Sequence, residues 1–500
     1  MVSTFADTNN LLNINCMTID NLDPKCVWKN FYALTQIPRP SKKEWRAVDF
    51  MENFGKSLGL ETIRDEVGNI IIRKPATPGM ENRKGVILQG HLDMVPQNNN
   101  DVQHDWENDP VETYIDGEWV KAKGTTLGAD NGLGCAVAMA VLESKDLVHG
   151  PVEALFTIDE ETGMTGAQAL KGGILEGDIL INLDSETEGE LYVGCAGGLD
   201  TDAEFRFKPE GIDKDMEQFR ITIKGLRGGH SGMEINEGRA NSNKLMARIL
   251  LPLLRDFKGE LVSIDGGNMR NAIPREAEAV IALPDKKAVK ALKAVEAAAA
   301  DIKHEYAPID PGLEVIVEKT KGYKKIIPSD VALNVVKALL ACPCNVDRMS
   351  LAIPGLVETS NNLAIVKTED KKICVKTLMR GSSDSAKYAL RDAIQSALEL
   401  GGAKVRFSGG YSGWQPNMDS DILKTMKQTY KSLFGKEPEV KAIHAGLECG
   451  ILSTNYPHWD MISCGPTLMS PHSPDERLLI PTVEKFWNFI KEVLKNIPVK

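Results

Sequence analysis

Residues 85–93 read GVILQGHLD, a short apolar run that ends on a histidine and, two places later, an aspartate. The pattern recurs twice: residues 155–158 (LFTI) lead into Asp159-Glu160-Glu161, and residues 178–183 (DILINL) lead into Asp184. Runs of this length read as buried strands, and all three end on acid or imidazole side chains. Between the first two, residues 129–144 (ADNGLGCAVAMAVLES) read as a helix with Asp130 at its start. Strand, helix and strand in alternation predict a layered α/β domain. Ligands of such sheets gather outside the carboxyl ends of the strands, where these acids fall.

Outward from this centre the texture changes after Gly197-Gly198. Residues 218–224 (QFRITIK) alternate like a half-exposed strand, residues 241–254 read as a helix, residues 261–264 and 278–283 as strands, and residues 287–304 as a helix. A similar order follows: a strand at 313–318, a helix at 329–341, strands at 363–367 and 373–379, and a helix at 385–400. This predicts an inserted α+β domain, ferredoxin-like and duplicated. From about Tyr411 the chain returns to the first domain through a helix at 420–435, a strand at 439–443 and a helix at 482–496. The expected division is a polar N-terminal arm over 1–25, a first domain over 26–200 and 409–500 that carries the strand-end acids, and the inserted domain over 201–408.

The 500-residue length is too great for one ordinary core. With 42% hydrophobic and 26% charged residues the composition is that of a soluble enzyme. A net charge of −11 leaves no basic face for a nucleic acid. The longest apolar stretch near the motifs, residues 135–142, is far too short to span a bilayer. Residues 1–20 carry neither the basic nor the apolar region of a signal peptide. Nine thinly spread cysteines fit a reducing compartment, hence the cytoplasm. The close pair Cys342 and Cys344, without a second pair, defines no zinc or redox site.

The candidate chemistry lies in His91, Asp93, Asp130, Asp159-Glu160-Glu161, Asp184 and His472. In an extended segment Asp93 points the same way as His91, so its carboxylate is placed to hold one imidazole nitrogen while the other binds metal. Asp130 taken alone reads as an N-cap. Three adjacent carboxylates at 159–161 repel one another unless cations or protons offset them. His472 sits between Pro471 and Pro474 in a stiff loop. A set of imidazoles and carboxylates suits zinc, manganese or cobalt rather than calcium, and one bridging carboxylate lets five side chains hold two ions with positions left for water and substrate.

The segments GHLDMVPQ, GTTLGADNGLG, LFTIDEETGMTGA, LINLDSETEGELYVGCAGG, RGGHSGMEINEGRANSN and MSPHSPDERL, in this order from about Val27 to the C-terminus, together resemble the M20 metallopeptidases. They are most similar to the aminoacyl-histidine dipeptidase branch, the cytosolic non-specific dipeptidases or peptidases D. The resemblance implies that His91, Asp130 and Asp184 hold one divalent ion and Asp130, Glu161 and His472 the other. It also implies that Asp93 orients His91, Glu160 is the general base, and the Asp130–Asn131 peptide is cis. His230 would come from the lid to the scissile carbonyl, within its own chain or across a homodimer formed through the lid. Arg380 and Asn268 would hold the substrate carboxylate. The block containing His444 and Glu448 also resembles this branch and receives no role. The implied activity is hydrolysis of dipeptides, Xaa-His among them, with Zn2+ and with Mn2+ or Co2+ as alternatives. Its rivals are another M20 amidohydrolase (a carboxypeptidase or N-acyl amino acid deacylase) and a non-catalytic scaffold.

Overall fold

The computed structural model describes residues 18–500. The expected polar arm therefore lies, up to Met17, outside the described residues. From Thr18 the chain is already folded: a short turn, Ile19–Asn21, buries Ile19 against the helix Lys25–Thr35. Two compact units follow. One comprises the chain up to Val193 with Asn417–Lys441 and Ile451–Lys500; the other comprises Gly194–Pro416 and Ala442–Gly450. The second crossing, which carries His444 and Glu448, was not part of the sequence reading.

Among the described residues the main sheet of the first unit has eight strands. Their order is Glu61–Arg64, Ile70–Lys74, Val152–Thr157, Val86–His91, Ile179–Asn182, Asp460–Ser463, Glu190–Cys195 and Glu439–Ile443. The four from Val152–Thr157 to Asp460–Ser463 run parallel. Parallel strands are covered on both faces and need apolar residues on both; Val86–His91, Val152–Thr157 and Ile179–Asn182 are accordingly buried throughout. The helix Ala129–Glu143 is buried at every residue except Asp130 and Glu143. It packs on Val86–His91 and on Lys25–Thr35, which is why its apolar residues occur all round rather than along one stripe. A smaller sheet pairs Leu468–Met469 with Arg477–Leu479, and the latter with Trp119–Ala122. The seven-residue connection 470–476 is thereby fixed at both ends, and it carries His472.

The second unit holds two βαββαβ halves, and they are nested rather than consecutive. The first half is Met216–Lys224, Ser242–Arg255, Glu260–Gly266, Ala277–Pro284, Asp285–Tyr306 and Glu314–Thr320. Its sheet order, fourth strand–first–third–second, is ferredoxin-like. The second half begins upstream of it, at Gly197–Arg206, and continues with Ser329–Ala341, Val357–Glu369, Lys372–Gly381, Asp384–Leu400 and Lys404–Tyr411 in the same spatial order. The two sheets join edge to edge where Gly266 meets Val366. The sequence reading gave the strand near 313–318 to the second half. It belongs to the first, paired antiparallel with Met216–Lys224, because the true opening strand of the second half starts on a glycine pair that masks its alternation.

Candidate metal centre

The parallel strands deliver their side chains at one edge. His91 is the last residue of Val86–His91, Asp159–Glu161 follow Val152–Thr157, and Asp184 follows Ile179–Asn182. Asp130 comes from the start of the neighbouring helix, where its own φ/ψ and that of Asn131 are non-helical and the peptide between them is cis. His472 arrives on the connection 470–476 with a left-handed backbone, φ 59°, a region uncommon outside glycine.

These side chains converge. His91 Nε2 lies 3.1 Å from Asp130 Oδ1 and 3.3 Å from Asp184 Oδ1. His472 Nε2 lies 3.1 Å from Asp130 Oδ2 and 3.0 Å from Glu161 Oε2. Asp130 thus turns one oxygen to each imidazole. His91, Asp130 and Asp184 form one group of donor atoms within 4.8 Å of one another, Asp130, Glu161 and His472 a second, and His91, Glu160 and Glu161 a third. On its other side, His91 Nδ1 faces the Asp93 carbonyl oxygen at 3.1 Å and the Asp93 carboxylate at 3.4 Å. A ligating histidine is commonly oriented through its far nitrogen in this way.

Asp93 also fixes the acid run. Its carboxylate accepts the N–H of Glu160 at 2.9 Å, the N–H of Glu161 at 3.2 Å and the Ser41 hydroxyl at 2.8 Å. Glu160 and Glu161 do not leave the strand in extended form. Asp159 takes a left-handed conformation and the chain turns at once into the short helix Glu160–Gly163. The two carboxylates diverge by a helical step of about 100°, not by the opposition of a strand.

The electrostatics are those of a site built for cations. Burial pushes the Asp184 carboxyl up to about 7, and the charges of Asp130 and Glu161 add to it against the pull of His91. Burial and Asp130 raise Glu161 against its hydrogen bond with His472. At Asp130 burial acts upward, but the two imidazoles overcome it and hold the carboxyl well below its usual range. Hydrogen bonds to Asp130 and Glu161 raise His472 to about 11. His91 is raised well above its usual value as well, burial being outweighed by Asp184 and Asp130. Glu161 Oε1 is buried with no hydrogen-bond partner, a lone pair that a polar interior does not leave idle without a reason. The donor types, their spacing and this orphaned oxygen fit a pair of divalent cations.

Sequence reading missed two buried charges in the same unit. Arg39, 1% exposed, donates Nη1 to the carbonyls of Leu92 (3.0 Å) and Asp93 (3.1 Å), and Nη2 to that of Gly128. Glu476, 2% exposed, accepts the N–H groups of Leu127 (2.7 Å), Gly128 (3.0 Å), Ala129 (2.8 Å) and Asp130 (3.3 Å). The only signals were an arginine between Pro38 and Pro40, and a glutamate four places after His472.

The remaining candidates lie in the second unit. His230 is half-buried in a two-residue strand paired with Ala272–Ile273. Arg380 is buried on Lys372–Gly381, with Nη1 3.5 Å from the Tyr411 hydroxyl and Nε without a hydrogen bond. A Cβ on Gly232 would stand 3.1 Å from the His230 ring and 3.2 Å from Arg380 Nε, so the two flank one glycine. Asn268 is exposed in the turn after Glu260–Gly266. His444 is buried and shares a 2.7 Å hydrogen bond with Ser360. Cys342 and Cys344 are free thiols. No helix among the described residues is long and apolar enough to cross a membrane.

A family model described as peptidase family M20/M25/M40 matches residues 87–496. Cytosol non-specific dipeptidase of Escherichia coli (strain K12) is 45% identical over 483 residues, 96% of this chain and 99% of that protein. The crystal structure of aminoacylhistidine dipeptidase from Vibrio alginolyticus matches with a TM-score of 0.91 at 45% identity, covering 97% of this chain and 99% of the other. Aminopeptidase PepT from Bacillus cereus ATCC 10987, with a TM-score of 0.56 at 15% identity over 95% of this chain and 99% of its own, shares the fold alone.

Proposed function

This chain belongs to peptidase family M20/M25/M40, and from that premise we propose that it hydrolyses dipeptides with free termini, Xaa-His among a broader set. The observation that carries the reading is the double use of Asp130, one carboxylate oxygen toward His91 and the other toward His472. It occurs in a chain 45% identical to a dipeptidase over nearly its whole length.

His91, Asp130 and Asp184 would hold one divalent ion and Asp130, Glu161 and His472 the other. For such N/O donors Zn2+ is the first choice, with Mn2+ and Co2+ as alternatives. When bound, the ions lower the pKa of a water and polarise the scissile carbonyl. Glu160 takes the proton of the attacking water on its carboxylate and returns it to the leaving amine nitrogen. Asp93 keeps His91 turned through Nδ1 and holds the backbone of Glu160. From the second unit we assign His230 to the developing oxyanion, and Arg380 with Asn268 to the substrate's C-terminal carboxylate. The support for Arg380 is a buried guanidinium that makes no ion pair with a carboxylate among the described residues. Anchors at both ends restrict the substrate to a short peptide, and closure of the inserted unit as a lid would exclude water. A homodimer through that unit is carried over from the family resemblance. The cytoplasm is assigned from the thinly spread cysteines and the cytosolic name of the E. coli relative.

The test is a panel of Xaa-His and Xaa-Gly dipeptides, a tripeptide and an N-acetylated dipeptide, each with Zn2+, Mn2+ and Co2+. Turnover of free dipeptides above the other two supports the reading. Preference for the N-acetylated compound replaces it with a deacylase, and no turnover with any metal removes it.

A further inference from the structure

The three segments that bring His91, Asp130 and His472 together come from distant parts of the chain, and two buried charges tie them. Arg39 grips the carbonyls of Leu92 and Asp93, immediately after His91, and the carbonyl of Gly128, two residues before Asp130. Glu476, four residues after His472, grips four consecutive N–H groups ending at Asp130 itself. The loop over 127–130 is therefore held twice, its Gly128 carbonyl by a guanidinium and its N–H groups by a carboxyl group. We propose that Arg39 and Glu476 are a pair of positioning residues that set where Asp130 stands between His91 and His472, and so decide whether one carboxylate can serve two ions. The proposal rests on the two-ion reading above.

The glycines agree with this. Gly128 has a φ of +70°, and a Cβ there would stand 2.7 Å from Arg39 Nη2 and from Met94 Sδ; a Cβ on Gly132 would stand 2.5 Å from the same Nη2. A side chain at either place would push the guanidinium off the loop. Burying a guanidinium and a carboxyl group is costly, and where only stability is at stake apolar side chains of similar size serve as well or better. Arg39 and Glu476 bond almost wholly to backbone beside the candidate ligands. Backbone contacts of this kind fix position, and groups that orient ligands commonly govern metal affinity by about 10–100-fold.

The experiment uses the full-length protein, stripped with a chelator and titrated with Mn2+, with free ion counted by electron paramagnetic resonance. The wild type should take up two ions per chain. Glu476→Gln places an amide donor against N–H donors, and should keep its circular dichroism spectrum while one of the two ions binds about 10–100-fold more weakly. Arg39→Lys keeps the charge without the fork and should also weaken binding, whereas Glu476→Asp restores part of the loss. A purely structural role lowers the melting temperature and leaves both affinities of the folded protein unchanged; that result overturns the proposal. If Glu476→Gln does not fold, Arg39→Lys and Glu476→Asp decide it, since wild-type affinity for both ions in the two variants overturns it equally. A wild type that binds fewer than two ions instead overturns the two-ion reading beneath it.

Discussion

The carboxylate of Asp93 accepts the backbone N–H of Glu160 at 2.9 Å while lying 3.4 Å from Nδ1 of His91. One side chain therefore sets the direction of an imidazole and the start of the turn that carries the acid run. Asp93→Asn preserves the shape but turns one acceptor into a donor, facing the N–H groups of Glu160 and Glu161 or His91. The expected loss is about 10–100-fold in metal affinity or activity. Metal titration with kcat at saturating metal separates the two effects. Excess metal restores whatever is due to His91, and a deficit in kcat that persists reports displacement of Glu160. Wild-type affinity together with wild-type kcat would remove Asp93 from both roles.

How much of this could be read beforehand depends on what each residue bonds to. His91, Asp184 and the acid run end apolar strands, and parallel strands present their ends on one edge, so their gathering is legible from pattern alone. His472 needed the resemblance, because nothing local in a proline-flanked loop says where it points. The turn at Asp159 was not legible, since a left-handed aspartate leaves no mark in composition. Arg39 and Glu476 were illegible for a deeper reason: they bond to main chain, which has no sequence signature. The nesting of the two halves of the second unit was missed because Gly197–Arg206 lies more than a hundred residues from the helix that continues its motif.

Arg380→Ala should reduce kcat/KM on a dipeptide more than on its C-terminal amide. A guanidinium pairs bidentately with a carboxylate, and the amide cannot reproduce that pairing. A charge-assisted hydrogen bond contributes about 1.5–3 kcal/mol, roughly 10–100-fold. Equal losses on both substrates would take carboxylate recognition away from this residue.

His444 offers a pH test within the second unit. Burial, with the charges of Arg380 and His230 acting the same way against a hydrogen bond to Val357, pushes its imidazole from 6.5 down to about 3. Between those values the unfolded chain binds the proton and the folded one does not. The contribution to stability is therefore complete above 6.5 and is lost as the pH falls toward 3. His444→Gln removes the titration and keeps an acceptor for the Ser360 hydroxyl. Denaturant unfolding between pH 7 and 4 should show a shallower loss in the variant than in the wild type. Parallel curves would mean that His444 titrates alike in the folded and the unfolded chain.

The sharpest division of labour is between Glu160 and Glu161. Both stand in one turn of Glu160–Gly163. Both come within 4.8 Å of His91 donor atoms, yet only Glu161 also groups with Asp130 and His472. A carboxylate that lies between an imidazole and a shared aspartate is placed to ligate, and its neighbour, a helical step away, is the one assigned the proton transfer. Glu160→Gln keeps size and hydrogen-bonding reach but cannot accept and return that proton. It should retain metal near wild-type occupancy and lose about 10²–10⁴-fold in turnover. Glu161→Gln replaces a charged donor by a neutral one and should lower occupancy instead. Metal per chain by elemental analysis and turnover on a dipeptide, measured on one preparation of each variant, give both quantities. Metal lost from Glu160→Gln and kept by Glu161→Gln would exchange the two roles. Unchanged turnover in both would end the hydrolytic mechanism proposed for this site.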